Sequence, residues 1–251
     1  MHELRGAPVH SGGAARSGRV RAVPAVVRRE GAEPLAAAAG AVAARHLARG
    51  DVNVVAVVGT GLQARMQPTL LAYVRAFGEV KVWGRRHQAA PACVTDLRGT
   101  LPAGARVSAA ASAQDAIEGA DIVYTVTPSR TPLVRAEWLA AGSLVVAVGS
   151  DGHDKQELEV RVLGQADRVV ADSLPQCRRI GEIHHALEAG VLNESSVIEL
   201  GRITAGLLPG REREDQRIVC DLTGVGVQDV AAATVVLEQL ETQQFAGGAP
   251  N

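Results

Sequence analysis

A run of five small apolar residues that enters a glycine turn constrains this chain more than any other segment. Val54–Val58 has the composition of a strand buried on both faces, and a helix-like pattern begins shortly after it. Between them lies Gly59-Thr60-Gly61-Leu62-Gln63-Ala64, of the form Gly-x-Gly-x-x-Ala. Gly59 permits the tight turn, Gly61 lets a ligand approach the main chain, and Ala64 packs the helix on the sheet. Because such a turn aims backbone N–H groups at a pyrophosphate, it predicts a dinucleotide site.

Strand-like and helix-like segments alternate along most of the chain. The predicted strands are residues 54–58, 79–83, 106–109, 121–126, 143–148, 168–171 and 217–222. The predicted helices are residues 35–49, 63–76, 88–98, 112–118, 135–140, 157–163, 176–188 and 196–205. This alternation is typical of α/β proteins, and it predicts a Rossmann-like, doubly wound parallel sheet with helices on both faces.

Composition excludes several classes of protein. The chain has 251 residues, 47% of them hydrophobic, and its formal net charge of −1 argues against nucleic acid as a main partner. Its three cysteines lack metal-ligand spacing, so we expect a reduced, cytoplasmic setting and no metal site. No apolar run reaches the ~18 residues of a membrane span, so no membrane partner is expected.

The end of the second predicted strand bears on which dinucleotide is bound. An acidic residue there would bond the ribose 2′-hydroxyl of NAD, whereas arginine accommodates the 2′-phosphate of NADP. Here Trp83 is followed by Gly84, Arg85 and Arg86, with no carboxylate. Either arginine could clamp a phosphate, and Trp83 or Arg85 could stack on adenine. The sequence therefore favours NADP, although two arginines that simply begin a solvated helix would give the same pattern.

The predicted domain boundaries follow changes in composition. Residues 1–33 are arginine- and glycine-rich without long apolar periodicity, and we interpret them as a disordered leader. Residues 51–222 form the predicted NAD(P)-binding Rossmann domain. Residues 34–50 and 223–251 are predicted to be helices from the remnant of a smaller substrate and dimerisation domain.

Five motifs in order resemble the ornithine cyclodeaminase/mu-crystallin family. They are the glycine turn, residues 120–128 (ADIVYTVTP), residues 147–158 (AVGSDGHDKQEL), residues 181–183 (GEI) and residues 223–229 (TGVGVQD). The resemblance covers residues 40–240, and two segments, 61–67 and 127–132, are most similar to the branch linked to ectoine utilization. It implies an NAD(P)-binding oxidoreductase or lyase of amino acid metabolism.

The chemistry implied by the resemblance is hydride transfer at an amine or imine carbon. Cyclodeaminases of the family oxidise a small amino acid such as ornithine to an imine, close the ring with loss of ammonia, and return the hydride. Relatives of the mu-crystallin type instead reduce cyclic ketimines of the pyrroline-2-carboxylate type with NADPH. The substrate expected here is therefore a small amino acid or a cyclic imine.

The family's site residues carry over to matching positions. The cofactor-binding positions implied by the resemblance, together with the glycine turn and the residues after the second strand, are Gly59, Thr60, Gly61, Leu62, Gln63, Ala64, Trp83, Arg85, Arg86, Thr125, Thr127, Pro128, Ser150, Lys155, Thr223 and Gly224. Asp151 matches an aspartate that cyclodeaminases keep as acid/base group.

Position in the fold supports Asp151 independently of the family. It follows a predicted strand at the carboxyl edge of a parallel sheet, where ligands bind in such folds, and imine chemistry needs a proton acceptor. The alternative is a helix cap or a turn, since Asp-Gly is a turn signal. Lys155 could orient the cofactor, pair with Asp151 or be solvated. We interpret His184 and His185 as surface or interface residues rather than ligands. Glu182 is expected to support packing or contacts with the substrate domain rather than proton transfer.

The chain also departs from the family pattern. Relatives carry a longer N-terminal segment that supplies a lysine and arginines for the substrate carboxylate, and one of these arginines would fall at Leu35. The chain is therefore expected to be N-terminally truncated relative to the family, with its activity and the family homodimer in doubt. A dinucleotide-binding protein without turnover, or an interaction scaffold, remains an alternative.

Overall fold

Eight parallel strands form one sheet in the computed structural model of the protein, which describes residues 33–86, 88–226 and 234. The strands are β1 (Val54–Val58), β2 (Glu79–Trp83), β3 (Arg106–Ala109), β4 (Ile122–Thr125), β5 (Leu144–Ala147), β6 (Arg168–Ala171), β7 (Val197–Glu199) and β8 (Ile218–Asp221). Their order across the sheet is β3-β2-β1-β4-β5-β8-β6-β7. The prediction of a doubly wound, Rossmann-like sheet is confirmed.

Helices cover both faces of this sheet. They are α1 (Glu33–Leu47), α2 (Leu62–Leu71), α3 (Ala89–Thr100), α4 (Ala113–Ile117), α5 (Val160–Gly164), α6 (Leu174–Cys177), α7 (Gly181–Glu188) and α8 (Leu200–Thr204). Alternate residues of β1 supply two different cores: Val55 and Val57 pack on one face, and Ala56 and Val58 on the other. The apolar run of β1 is thus the sequence of a strand that has no face in water.

The helix before β1 packs directly on the sheet. Ala43, Ala44 and Leu47 of α1 lie in the same core as Val55 and Val57. The assignment of residues 34–50 to a substrate domain stays a prediction. Residues 1–32 and nearly all of 227–251 lie outside the described residues, so the predicted leader and the last helix are not described here.

Several helix predictions were wrong in part. Residues 196–205 begin with β7, since Val197 and Ile198 pair with β6, and only Leu200–Thr204 is helical. Residues 176–188 hold two helices with a break before Gly181. Gly181 has φ +88°, and a Cβ there would meet a carboxylate oxygen of Asp221 at 2.6 Å. The break follows from this close approach, which only glycine allows without strain.

The segment after β5 also differs from its predicted helix. The helix predicted from residue 157 begins at Val160, and Leu158 instead forms a parallel bridge with Val134. Residues 135–140 contain only the short 3₁₀ helix Ala136–Trp138. Glu157 therefore precedes the helix, and its side chain turns into the protein. In the described part of the chain, none of the helices has the length and apolar character needed to span a bilayer.

Candidate active site

The register of the sheet brings the carboxyl ends of five strands to one edge. Val58 is paired with Trp83 on one side and Thr125 on the other. Thr125 is paired with Ala147, and Ala147 with Asp221. The loops after β1, β2, β4, β5 and β8 therefore meet at this edge. The strand order reverses between β1 and β4, and doubly wound sheets bind ligands at such a position.

The glycine turn at this edge leaves a helix N-terminus open. Gly59 has φ +139°, and a Cβ there would meet Val126 at 2.7 Å, so this position requires glycine. Its N–H donates to the carbonyl of Trp83 at 2.7 Å, which ties the turn to the end of β2. Gly61 is the N-cap of α2, without a side-chain cap or an acidic residue in the first turn, and a Cβ there would meet no atom within 4 Å.

Arg65 holds the shape of the turn. Its guanidinium donates to the carbonyls of Thr60 and Gly61 at 2.7 and 3.0 Å, and to Asp96 at 2.7 Å. The carbonyls of Thr60 and Gly61 are thus partnered within the protein, while the N-terminus of α2 has no side-chain cap. This arrangement fits a pyrophosphate, because uncapped helix N-termini attract anions.

Two cations follow β2 at the same edge. Arg85 and Arg86 are exposed, and Trp83 is half-buried between the edge and the core. Neither arginine takes part in the ion pairs found among the described residues, so both are available to an anionic ligand. His87 lies outside the described residues.

The predicted residues of the ring end of the site lie on the loops after β4, β5 and β8. Thr125 is buried at the end of β4, Thr127 is half-buried and Pro128 is exposed. Ser150 is buried and donates its hydroxyl to the carbonyl of Lys155 at 2.6 Å. These side chains therefore border the edge from the β4 and β5 side, and their role in cofactor binding stays a prediction.

Thr223 and Gly224 border the edge from the β8 side. The carboxylate of Asp172 accepts both of their backbone N–H groups, at 2.8 and 2.9 Å, and the Thr223 hydroxyl at 3.0 Å. Gln176 donates to the carbonyl of Gly224 at 2.6 Å. Neither Asp172 nor Gln176 was singled out from the sequence.

Asp151 opens onto a cleft of about 580 Å³ at this edge. Its side chain is 58% exposed and forms an ion pair with the ammonium of Lys155, one of the roles that the sequence left open for that lysine. Thr223, Gln176 and Arg179 line the same cleft. The cleft thus brings together a carboxylate that can take up a proton and a guanidinium that can face an anion.

Three buried carboxylates behind the loops form a feature that sequence reasoning missed; we call Glu157, Glu182 and Asp221 the carboxylate row. Glu157 accepts the N–H of Thr127 at 2.6 Å and that of Gly149 at 2.9 Å. Glu182 accepts the N–H groups of Glu157 and Leu158 at 2.7 and 3.1 Å.

Asp221 completes the row at the end of β8, where it accepts the N–H of Ile183 at 2.9 Å. Each carboxylate therefore bonds the backbone that carries the next one, from β8 to the loops after β4 and β5. Burial raises the pKa of Glu157 to about 7 and that of Asp221 to about 8, and it also raises the pKa of Glu182 well above its ordinary value. The packing role predicted for Glu182 agrees with this position.

The histidine pair on α7 differs from its predicted surface position. The His184 side chain is only 7% exposed; its Nδ1 lies 3.1 Å from the Arg178 carbonyl and its Nε2 lies 3.5 Å from Glu188. His185 is half-buried, with Nε2 2.8 Å from the Lys155 carbonyl. The surface alternative for His184 was therefore wrong, because α7 packs this face against His153 in the loop after β5, whereas the interface alternative stays a prediction.

Comparison with known proteins identifies a family and relatives for this chain. Residues 34–244 match the family model described as the ornithine cyclodeaminase/mu-crystallin family. An uncharacterized cyclodeaminase of Sinorhizobium fredii is 44% identical over 206 residues, which are 82% of this chain and 62% of that protein.

Two solved structures have the same fold. An archaeal alanine dehydrogenase dimer with bound NAD aligns with a TM-score of 0.77 and 38% identity, covering 83% of this chain and 64% of that one. The Thermococcus litoralis Δ1-pyrroline-2-carboxylate reductase, in complex with NADH and L-proline, aligns with a TM-score of 0.79 and 27% identity, covering 84% and 65%.

The chain spans a little over three fifths of the length of these relatives. Its match to the family model covers most of its own length, and it keeps the fold and the edge described above. The chain belongs to the ornithine cyclodeaminase/mu-crystallin family.

Proposed function

We propose that this chain carries the cofactor-binding part of an NAD(P)-dependent, cyclodeaminase-like enzyme that transfers a hydride at the amine or imine carbon of a small amino acid or its cyclic imine. One observation carries the proposal: a single sheet edge joins the uncapped N-terminus of α2 to the cleft that holds Asp151. Binding of a dinucleotide and movement of a proton are thereby available side by side.

Each end of the edge has a role in this proposal. The N–H groups at Gly61 and the start of α2 bind the pyrophosphate, and the loops bearing Thr127 and Thr223 border the ring end. When bound, the nicotinamide supplies the hydride acceptor or donor. Asp151 takes the proton from the substrate nitrogen as an amine becomes an imine, and it returns that proton in the reverse direction. Lys155 holds the Asp151 carboxylate in place through their ion pair.

NADP is the dinucleotide that we propose for this chain. Arg85 and Arg86 stand exposed after β2, where a 2′-phosphate would lie, and no carboxylate follows the strand. The two solved relatives contain NAD and NADH, so the preference needs a direct comparison. Titration of the protein with NADPH and NADH gives that comparison, and tighter binding of NADH would contradict it.

Reduction of a cyclic ketimine is a second candidate for the same site. The Thermococcus litoralis relative is a pyrroline-2-carboxylate reductase with L-proline bound, and the same hydride and proton transfers would serve that reaction. Binding of a dinucleotide without turnover is a third candidate. A homodimer, as in the archaeal alanine dehydrogenase, is proposed only for the whole family protein.

Cofactor binding followed by turnover tests the proposal. Trp83 lies at the edge, so NADPH or NADH should quench its fluorescence; absence of binding by both would overturn the proposal. Ornithine, alanine and Δ1-pyrroline-2-carboxylate should then be assayed by absorbance of the reduced cofactor. Asp151→Asn should lower kcat about 10²- to 10⁴-fold with little change in cofactor Kd.

Asp154→Asn is the matched control for that variant. Asp154 lies on the same loop and pairs with Arg130 at 2.9 Å, with both side chains mostly exposed. It should leave kcat within twofold of the parent. Full activity in Asp151→Asn would remove the acid/base role, and cofactor binding without turnover of any substrate would favour the binding protein.

A further inference from the structure

We propose that Glu157, in its ionised form, is a positioning residue that joins the loops after β4 and β5 and so sets the crevice for the ring end of the dinucleotide. The inference rests on the proposed function in one respect, since it concerns the same crevice. Its structural part, the joining of the two loops by one carboxylate, is measurable without any ligand.

The carboxylate of Glu157 bonds both loops. Burial has the largest effect on its pKa and raises it, whereas hydrogen bonding by the side chains of Thr127 and Thr125 lowers it. Its Oε1 accepts the N–H of Thr127, and its Oε2 accepts the N–H of Gly149. The Gly149 N–H has a second acceptor, the carbonyl of Thr125 at 3.2 Å. For the Thr127 N–H, the Glu157 carboxylate is the one acceptor found among the described residues. The side chain is fully buried, so water does not replace these bonds.

The two loops are also in close contact. A Cβ at Gly149 would lie 2.2 Å from the carbonyl oxygen of Thr127 and 2.6 Å from Oε2 of Glu157. Thr127 and Ser150, beside Gly149, are both predicted to line the ring end of the site. A change in the spacing of these loops therefore changes the crevice itself.

Ionisation matters because a carboxylate has two acceptor oxygens and no proton to place. A protonated Glu157 keeps one carbonyl oxygen, but its hydroxyl oxygen is a much poorer acceptor for a backbone N–H than a carboxylate oxygen. One of the two loops would then lose its bond to this side chain. Glutamine has the same limitation at every pH, since its NH₂ group takes the place of one oxygen.

The groups around Glu157 do not neutralise it. Glu182 on α7 bonds its backbone N–H, and Asp221 on β8 lies next along the carboxylate row. Both are acids whose own pKa is raised by burial, so neither supplies a positive charge. On its own loop, Lys155 pairs with Asp151, and His185 of α7 contacts the Lys155 carbonyl. Within the described part of the chain, Glu157 forms no ion pair. Burial accordingly raises its pKa to about 7, so both protonation states occur near neutral pH.

Protonation of Glu157 should therefore weaken cofactor binding without lowering the stability of the folded protein. Because the pKa of Glu157 is raised in the folded protein, protonation of this group favours folding, and its contribution to stability grows as pH falls through 7. The joining of the loops is lost over the same range. Weaker cofactor binding at low pH would then accompany unchanged or greater stability of the free protein.

The test uses Glu157→Gln with Glu159→Gln as its control. Glu159 lies two residues away, and glutamine can keep the hydrogen bond that its Oε2 accepts from the Ala136 N–H at 3.3 Å. Kd for NADH is measured from pH 6 to 8.5, because its pyrophosphate keeps its charge over this range. Amide exchange of Thr127 and Gly149 is measured in the free protein, and urea unfolding checks that each variant folds.

The parent and the Glu159→Gln variant should lose NADH affinity below pH 7, approaching tenfold per pH unit. Glu157→Gln should bind NADH weakly and independently of pH, at the low-pH level of the parent. At least one of the two amides should exchange about tenfold faster in this variant. Unchanged protection of both amides, or a parent-like pH dependence in Glu157→Gln, would overturn the inference. If the parent binds neither NADH nor NADPH, the proposed function fails, while amide exchange still decides whether Glu157 joins the loops.

Discussion

The two halves of the sheet edge use their backbone N–H groups in opposite ways. At the glycine turn, the carbonyls of Thr60 and Gly61 are bonded by Arg65, and the helix N-terminus at Gly61 has no side-chain cap. At the loops after β4 and β8, the N–H groups of Thr127 and Thr223 are instead bonded by buried or half-buried carboxylates.

The glycine-turn half of the edge can therefore bind a ligand, whereas the other half is held by bonds inside the protein. We call the loops after β4, β5 and β8, with the carboxylates of Glu157, Glu182 and Asp172 that bond them, the frame. Open donors at the glycine turn can be satisfied by an anionic ligand, and a carboxylate placed there would compete with it. The backbone N–H groups of Thr127 and Thr223, on the other half, already have acceptors inside the protein. These bonds hold the loops in place, so their side chains are available to border the ring end of the site. A charge change should therefore affect binding in one half and stability or geometry in the other.

Gly61→Asp should have the largest effect, and it should fall on binding alone. The new side chain enters open space and can cap α2, so the unfolding free energy should stay the same or rise by a few tenths of a kcal/mol. Its carboxylate would lie where the pyrophosphate binds, so Kd for NADPH or NADH should rise at least about a hundredfold. Fluorescence titration measures this, with Gly61→Asn as the neutral control. Equal losses in both variants would mean that shape rather than charge decides binding.

Glu182→Ala should affect stability instead. It leaves the buried N–H groups of Glu157 and Leu158 without an acceptor, at a cost of about 2 kcal/mol in the free energy of unfolding. Urea denaturation measures the loss. Glu188→Ala on the same helix removes an exposed carboxylate and should cost less than about 0.5 kcal/mol. Similar costs for the two variants would show that the Glu182 carboxylate does not stabilise the loop after β5.

Arg85→Ala and Arg86→Ala test whether the glycine-turn half of the edge distinguishes NADPH from NADH. If either guanidinium contacts a 2′-phosphate, its removal should weaken NADPH about tenfold and leave NADH nearly unchanged. Titration of both variants with both cofactors gives the ratio. An equal loss for the two cofactors would place the arginines at the pyrophosphate or the adenine instead.

The smallest effect concerns the pH dependence of stability. Glu157 and Asp221 have pKa values raised to about 7 and about 8, so their stabilising contribution is complete near pH 4 and is lost as pH rises to about 8. Urea midpoints should therefore fall between pH 6 and pH 9, and Asp221→Asn should reduce that fall. An unchanged pH profile in the variant would show that Asp221 does not titrate in this window.

Sequence patterns could predict the binding half far better than the frame. β1 and β2 match their predicted bounds, because the β1 run is uniformly apolar and a glycine turn follows it. β7 was missed, since its three residues continue directly into a helix. The break before Gly181 depends on Asp221, which lies forty residues further along the chain.

Glu157 shows why the rest could not be predicted. The three residues just before it (DKQ) are polar, and nothing in their spacing distinguishes a buried glutamate from a solvated one. Burial of the charge is decided by Thr127 and Gly149, whose N–H groups approach only once β4 and β5 are paired. Asp172 is similar, because its partners Thr223 and Gly224 follow a strand nearly fifty residues away.

The position of β8 has a consequence for how the molecule is made. β8 lies between β5 and β6, which do not pair with each other, yet it is the last strand of the described chain. During synthesis, strands β1–β5 and the pair β6–β7 cannot join into one sheet until β8, which ends at Asp221, has left the ribosome. Their facing edges offer unpaired backbone groups to other chains during that interval. Slow translation of the segment before β8 should therefore favour aggregation over correct folding.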